Sequence, residues 1–116
     1  MENYEIKNRE GANMKKLKTI DVQAKEWFDR VKGNSYFSGI ITLNFGMLNV
    51  ETFIMHFQCG YGEQYISEAK AQLTEHNRIS ADYGDALWKY CEKNNIILRT
   101  SKQENCLKRD VVNYVS

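Results

Sequence analysis

The stretch "DVQAKEWFDRVKGN", residues 21–34, decides how the rest of the chain is read. Ala24, Trp27, Phe28 and Val31 fall at i, i+3, i+4 and i+7, which is one apolar stripe of an α-helix. Asp21 stands where a carboxylate accepts a backbone N–H at a helix start, and Gly33 where a left-handed residue closes a helix. The spacing predicts a helix over 21–34. Before it, "KKLKTI" (15–20) reads as a short edge strand whose lysines discourage pairing with a foreign strand. Residues 1–13 are polar and aperiodic, and read as a flexible arm before a single domain over 14–116.

After it, "SYFSGIITLNF" (35–45) and "ETFIMHFQC" (51–59) read as two strands joined by "GMLNV". Phe37, Ile41, Leu43 and Phe45 share one parity, as do Phe53, Met55, Phe57 and Cys59, and each set should line one sheet face. "EQYISEAKAQLTEHN" (63–77) predicts a helix with Ile66, Ala69 and Leu73 on one side. A second helix is expected over 82–95, capped by Asp82, buried along Tyr83, Leu87, Tyr90 and Cys91, and stopped at Asn94-Asn95. "IILRT" (96–100) reads as a short central strand. "SKQE" (101–104) has the capping-box pattern, so a last helix is expected from 102. The resulting order, β-α-β-β-α-α-β-α, predicts an α+β fold. It is a sheet of three or four strands centred on an antiparallel hairpin and packed with three or four helices, not a doubly wound parallel sheet.

The 116 residues suit one domain, and 42% hydrophobic with 27% charged residues is a globular composition. A net charge of +1 argues against a polyanionic DNA mimic or a strong polycation. The three cysteines, an odd number without a CxxC pair, read as free thiols of a reducing cytosol. No apolar run approaches the roughly 18 residues needed to span a bilayer, and the first residues lack the apolar core of a secretion signal. A cytoplasmic location is expected.

"HFQCGYGEQY" (56–65) brings a histidine, a cysteine and two glycines to a strand-to-helix junction. A catalytic thiol needs a base within hydrogen-bond reach. His56 is three positions from Cys59, so on a regular strand the two point to opposite faces unless the chain bulges near Gln58. Cys59 shares parity with apolar positions and is expected to be buried. "GYG" has the local plan of a phosphate cradle, but Tyr65 replaces the third glycine of GxGxxG and Glu63 already opens the helix. Gly60 and Gly62 are instead expected to provide unusual φ angles at a sharp turn. Cys59, Cys91, Cys106, His56 and His76 are too scattered for a zinc site. No metal or cofactor is expected. A small enzyme using Cys59 or a phosphate at GYG is the least favoured reading.

Between residues 35 and 62 the only charged residue at neutral pH is Glu51. Either helices cover the hairpin on both sides, or one face is a protein-binding surface. Under the second reading the contacts are Tyr36, Ile40, Thr42, Ile54, His56 and Gln58, with Tyr61 at the rim. The competing reading is RNA or DNA binding by the basic chain ends, through Arg99, Lys102, Lys108 and Arg109.

The segments "KEWFDRVKGNSYFSG", "FQCGYGEQY" and "NNIILRT" resemble small uncharacterised proteins encoded by bacteriophages and prophages of gut Bacteroidetes-like hosts, over about residues 20–110. The resemblance carries no assigned site. It implies a stand-alone accessory protein that binds a host or phage macromolecule. An anti-CRISPR-like inhibitor of a host defence nuclease or ribonucleoprotein is one such protein, and it would act in the host cytoplasm.

Overall fold

The computed structural model describes residues 17–82 and 84–116. Four strands, β1 (Thr19–Asp29), β2 (Asn34–Leu43), β3 (Glu51–Cys59) and β4 (Ile97–Gln103), form one mixed sheet in the order β3-β2-β1-β4. Three helices, α1 (Gln64–Glu75), α2 (Leu87–Lys93) and α3 (Lys108–Tyr114), pack against it. The fold is α+β, as expected. The arm expected at 1–13 lies outside the described residues.

The helix expected over 21–34 is instead the long strand β1, at the interior of the sheet. Its buried residues are Ile20, Val22 and Ala24, spaced by two, and Gln23 between them is exposed. That is the strand period. Val31, counted in the helical stripe, lies exposed in the β1–β2 turn. The residues that imitated helix ends serve the hairpin. Asp29 Oδ1 accepts the N–H groups of Val31 and Lys32 at 3.0 and 3.3 Å, and Gly33 takes φ 74° while donating to the Asp29 carbonyl at 2.7 Å. Asp21 caps nothing: it pairs with Arg99 across the sheet at 2.6 Å.

β4 runs parallel to β1 from Thr19↔Ile97 to Lys25↔Gln103. It is an edge strand, not a central one, and it extends through the supposed capping box. Ser101 and Gln103 pair with β1, so α3 starts only at Lys108. α2 also begins late, at Leu87. Asp82 lies before it and accepts the Asp85 N–H at 3.0 Å. Asn95 takes φ 57° after α2, as its stop role requires.

The two sheet faces are unlike. On the inner face Ile20, Val22, Phe37, Ile41, Leu43 and Met55 meet Tyr65, Ala69 and Leu73 of α1 and Leu87 and Cys91 of α2. α3 lies on the outer face, its Val111 fully buried and its carbonyl accepting the Ser38 hydroxyl at 2.5 Å. Lys25 reaches the Tyr114 ring and Lys108 the Trp27 ring, at 4.7 and 5.3 Å from their centroids.

β3 holds an extra residue between Met55 and Gln58, opposite Ser38 of β2. One inserted residue reverses the side-chain parity beyond it. Phe57, expected on the core face, stacks instead on Tyr36 of the outer face, ring centroids 5.3 Å apart and planes 2° from parallel. Trp27 extends this stack from β1, 5.5 Å from Tyr36. Cys59 follows Phe57 outward and is exposed, which corrects the expectation that it is buried. Phe45, also expected in the core, is 68% exposed in the β2–β3 loop because β2 ends at Leu43.

Candidate interaction surface

α3 crosses only part of the outer face. Beyond it, Ile40 of β2 stands directly opposite Ile54 of β3 on one side and Gln23 of β1 on the other. The neighbouring row is Asp21, Thr42 and Thr52. Ile54 is 40% exposed, Gln23 and Thr52 are exposed, and Ile40 and Thr42 are half-buried. At the border of this patch Arg99 grips Asp21 with two hydrogen bonds of 2.6 and 3.0 Å. The pair also raises the Arg99 pKa, first through the hydrogen bond and then through the charge of Asp21.

Of the candidate contacts, the sheet therefore gathers Tyr36, Ile40, Thr42 and Ile54 on one face. Tyr36 is half-buried within the aromatic stack. His56 is exposed at the bulge. Gln58 does not join them: the parity reversal pairs it with Phe37, on the core side, and its Nε2 donates to the His56 carbonyl at 2.9 Å. Tyr61 is 78% exposed in the β3–α1 turn.

The four basic candidates do not converge as a phosphate-binding row. Arg99 is engaged as described. Lys102, its side chain 9% exposed, donates to Glu26 Oε1 at 2.6 Å and to the Gly62 carbonyl at 2.7 Å, and lies 3.5 Å from Glu104. Burial opposes its charge, but the hydrogen bond and field of Glu26, aided by Glu104, outweigh that and hold its pKa above the ordinary 10.5. Lys108 lies over Trp27. Arg109 is exposed on α3.

The GYG turn presents its Gly62 carbonyl to the Lys102 ammonium, so this junction is organised around a cation rather than an anion. Gly60 is present for space, not for φ: a Cβ there would stand 2.6 Å from Phe37 Cε1 and 2.8 Å from Gln64 Cγ. Gly62 does need its left-handed φ of 62°. Among the described residues Cys59 has no hydrogen-bonded base, and no cluster of three or more His, Cys, Asp or Glu is placed to hold a metal ion. A cavity of about 1010 Å³ lies between α1, Ala81 and residues 84–88, over Leu98 and Thr100. Its described lining contains neither histidine nor cysteine.

One cluster escaped the sequence reading. Phe45, Met47, Leu48 and Val50 are all exposed in the loop over 44–50. A run without charge between the turn residues Asn44 and Asn49 was the available signal; counting Phe45 into the strand stripe hid it.

The thiols offer a check on these placements. Burial pushes the Cys91 thiol up to about 11, whereas Cys59 is open to solvent. Alkylation of the native protein at mildly alkaline pH, followed by peptide mass mapping, is expected to modify Cys59 at least roughly a hundredfold faster than Cys91. Equal rates would contradict the burial of α2.

Among the described residues no helix is long and apolar enough to cross a membrane. Comparison with protein-family models, curated proteins and solved structures returns no match.

Proposed function

We propose that this chain is a non-catalytic binding protein that docks the open half of its outer sheet face on another protein. In this reading it acts as a phage-type inhibitor or regulator of a host nucleic-acid-processing or defence complex. The observation that carries the proposal is the Ile40–Ile54 pair. It is an apolar centre on a rigid sheet, surrounded by uncharged Gln23, Thr42 and Thr52 and bordered by a neutralised Asp21–Arg99 pair. An apolar centre within a polar rim is the anatomy of a docking patch. The resemblance to small phage-encoded proteins supports a macromolecular partner. The engagement of Arg99 and Lys102 in ion pairs disfavours nucleic acid as that partner.

The test is affinity capture from nuclease-treated host lysate with the wild type and with Ile40→Thr/Ile54→Lys. Threonine is used at one position because two lysines directly opposite would repel across the strands. The variant is expected to melt within a few degrees of wild type and to lose the captured partner by roughly tenfold or more. A folded variant that retains the partner would refute this surface, and a variant that unfolds would show that the pair is structural.

A further inference from the structure

The β2–β3 loop, "NFGMLNV" (44–50), is ordered by its backbone yet turns its apolar side chains outward. Asn44 is its anchor. Buried and at φ 56°, it accepts the Lys18 N–H on Oδ1 at 2.7 Å, and its own N–H donates to the Thr19 carbonyl at 2.9 Å. Met47 N–H closes a turn on the Asn44 carbonyl at 3.0 Å, and Val50 N–H another on Met47 at 3.3 Å. These bonds fix the two ends and the middle of the loop. What it offers is Phe45, Met47 and fully exposed Leu48 in one hairpin loop.

Charge around the tip points to one kind of surface. The loop has no charged residue. The adjoining acid, Glu51, is held by Arg78 through two bonds of 2.7 Å, and this hydrogen bond keeps its carboxyl below the usual range. Exposed Lys18, whose backbone is tied to Asn44, is a neighbouring cation. Exposed Phe, Met and Leu beside a lysine suit a deformable apolar medium under anionic headgroups.

We propose that the 44–50 loop inserts into the interfacial zone of an anionic phospholipid bilayer. Phe45, Met47 and Leu48 enter below the headgroups, and Lys18 meets lipid phosphates. This site is separate from the Ile40–Ile54 patch.

The test is flotation of the full chain with phosphatidylcholine vesicles, with and without phosphatidylglycerol. It compares wild type with Phe45→Ser/Leu48→Ser, with sedimentation velocity and thermal melting in parallel. Wild type is expected to float with the anionic vesicles and less with the neutral ones. The variant should melt like wild type, because both side chains are exposed, and lose at least about tenfold in vesicle binding. No flotation with either vesicle, or equal flotation of the variant, overturns the proposal. So does a concentration-dependent dimer dissolved by the same substitutions, which would assign the loop to a second copy of the chain.

Discussion

Replacing Gly39 with alanine is expected to destabilise the domain by about 3 kcal/mol, toward the upper end of what overpacking costs. Gly39 pairs with Ala24 in the middle of the sheet, on the core face. A Cβ at this position would run into Met55 Cε and stand 2.6 Å from the Gln23 carbonyl oxygen. The methionine is a flexible side chain and can turn away. The carbonyl belongs to β1 and cannot move without shifting the central strand. The Met55→Ala background is therefore expected to relieve only part of the cost, leaving Gly39→Ala about 2 kcal/mol less stable even there. Urea unfolding of the four proteins measures this, as a fall in midpoint at constant slope. Full rescue by Met55→Ala would place the conflict in the side chain alone and contradict the close approach of β1 and β2.

The second large effect concerns Lys102. It is the hub that joins β4, β1 and the turn before α1, and the Glu26 side chain it meets is only 12% exposed. Lys102→Ala removes the partner of a nearly buried carboxylate, a change that costs about 3–5 kcal/mol for such pairs. Replacing both ends, with Glu26→Leu and Lys102→Met, should recover most of the loss, since a hydrophobic pair of similar volume leaves no charge unmatched. A double-mutant cycle separates the two. The sign with pH is also fixed. The folded pKa of Lys102 is raised, so its contribution is fully present below the ordinary 10.5 and is lost as pH rises through the higher folded value. The cost of Lys102→Ala should accordingly stay constant across neutral pH. A Lys102→Ala protein of unchanged stability that had lost affinity for RNA would return this residue to the nucleic-acid reading.

Both effects arise from β1, the element that periodicity assigned wrongly. Ala24, Trp27 and Phe28 do fit a helical stripe, and the interleaved charges of Asp21, Lys25 and Glu26 look like a solvated helix face. In the fold each of those charges has a partner across the sheet or above it: Arg99, the Tyr114 ring and Lys102. Those partners lie more than seventy positions away. A short-range pattern carries no trace of a parallel pairing at that separation. With β1 read as a helix, 101–103 had no strand to join, and its Ser-to-Glu spacing passed for a helix cap. The hairpin, by contrast, was legible, because alternation and its loop are local. So were α1, with Ala69 and Leu73 buried as spaced, and the stop at Asn95.

The candidate surface divides along the same line. Tyr36, Ile40, Thr42 and Ile54 share a face because simple alternation holds up to the bulge. Beyond it Gln58 and Cys59 exchange faces, and no residue type in "MHFQC" marks the insertion: neither glycine nor proline is present. Nor did spacing show that α3 would cover only the Ser38–Val111 end of the outer face. The open half, and hence the proposed docking patch, exists because β1 supplies a full-length neighbour to β2 while the last helix is too short to cover both.

The most direct measurement is therefore the pattern of through-space proton contacts along residues 19–29. A central strand predicts strong sequential Hα–HN contacts, with Val22 close to Ile41 on one side and to Thr100 on the other. A ladder of i, i+3 contacts from Asp21 to Lys32, without contacts to Thr100, would restore the helix and remove the two-faced sheet on which the binding surface is built.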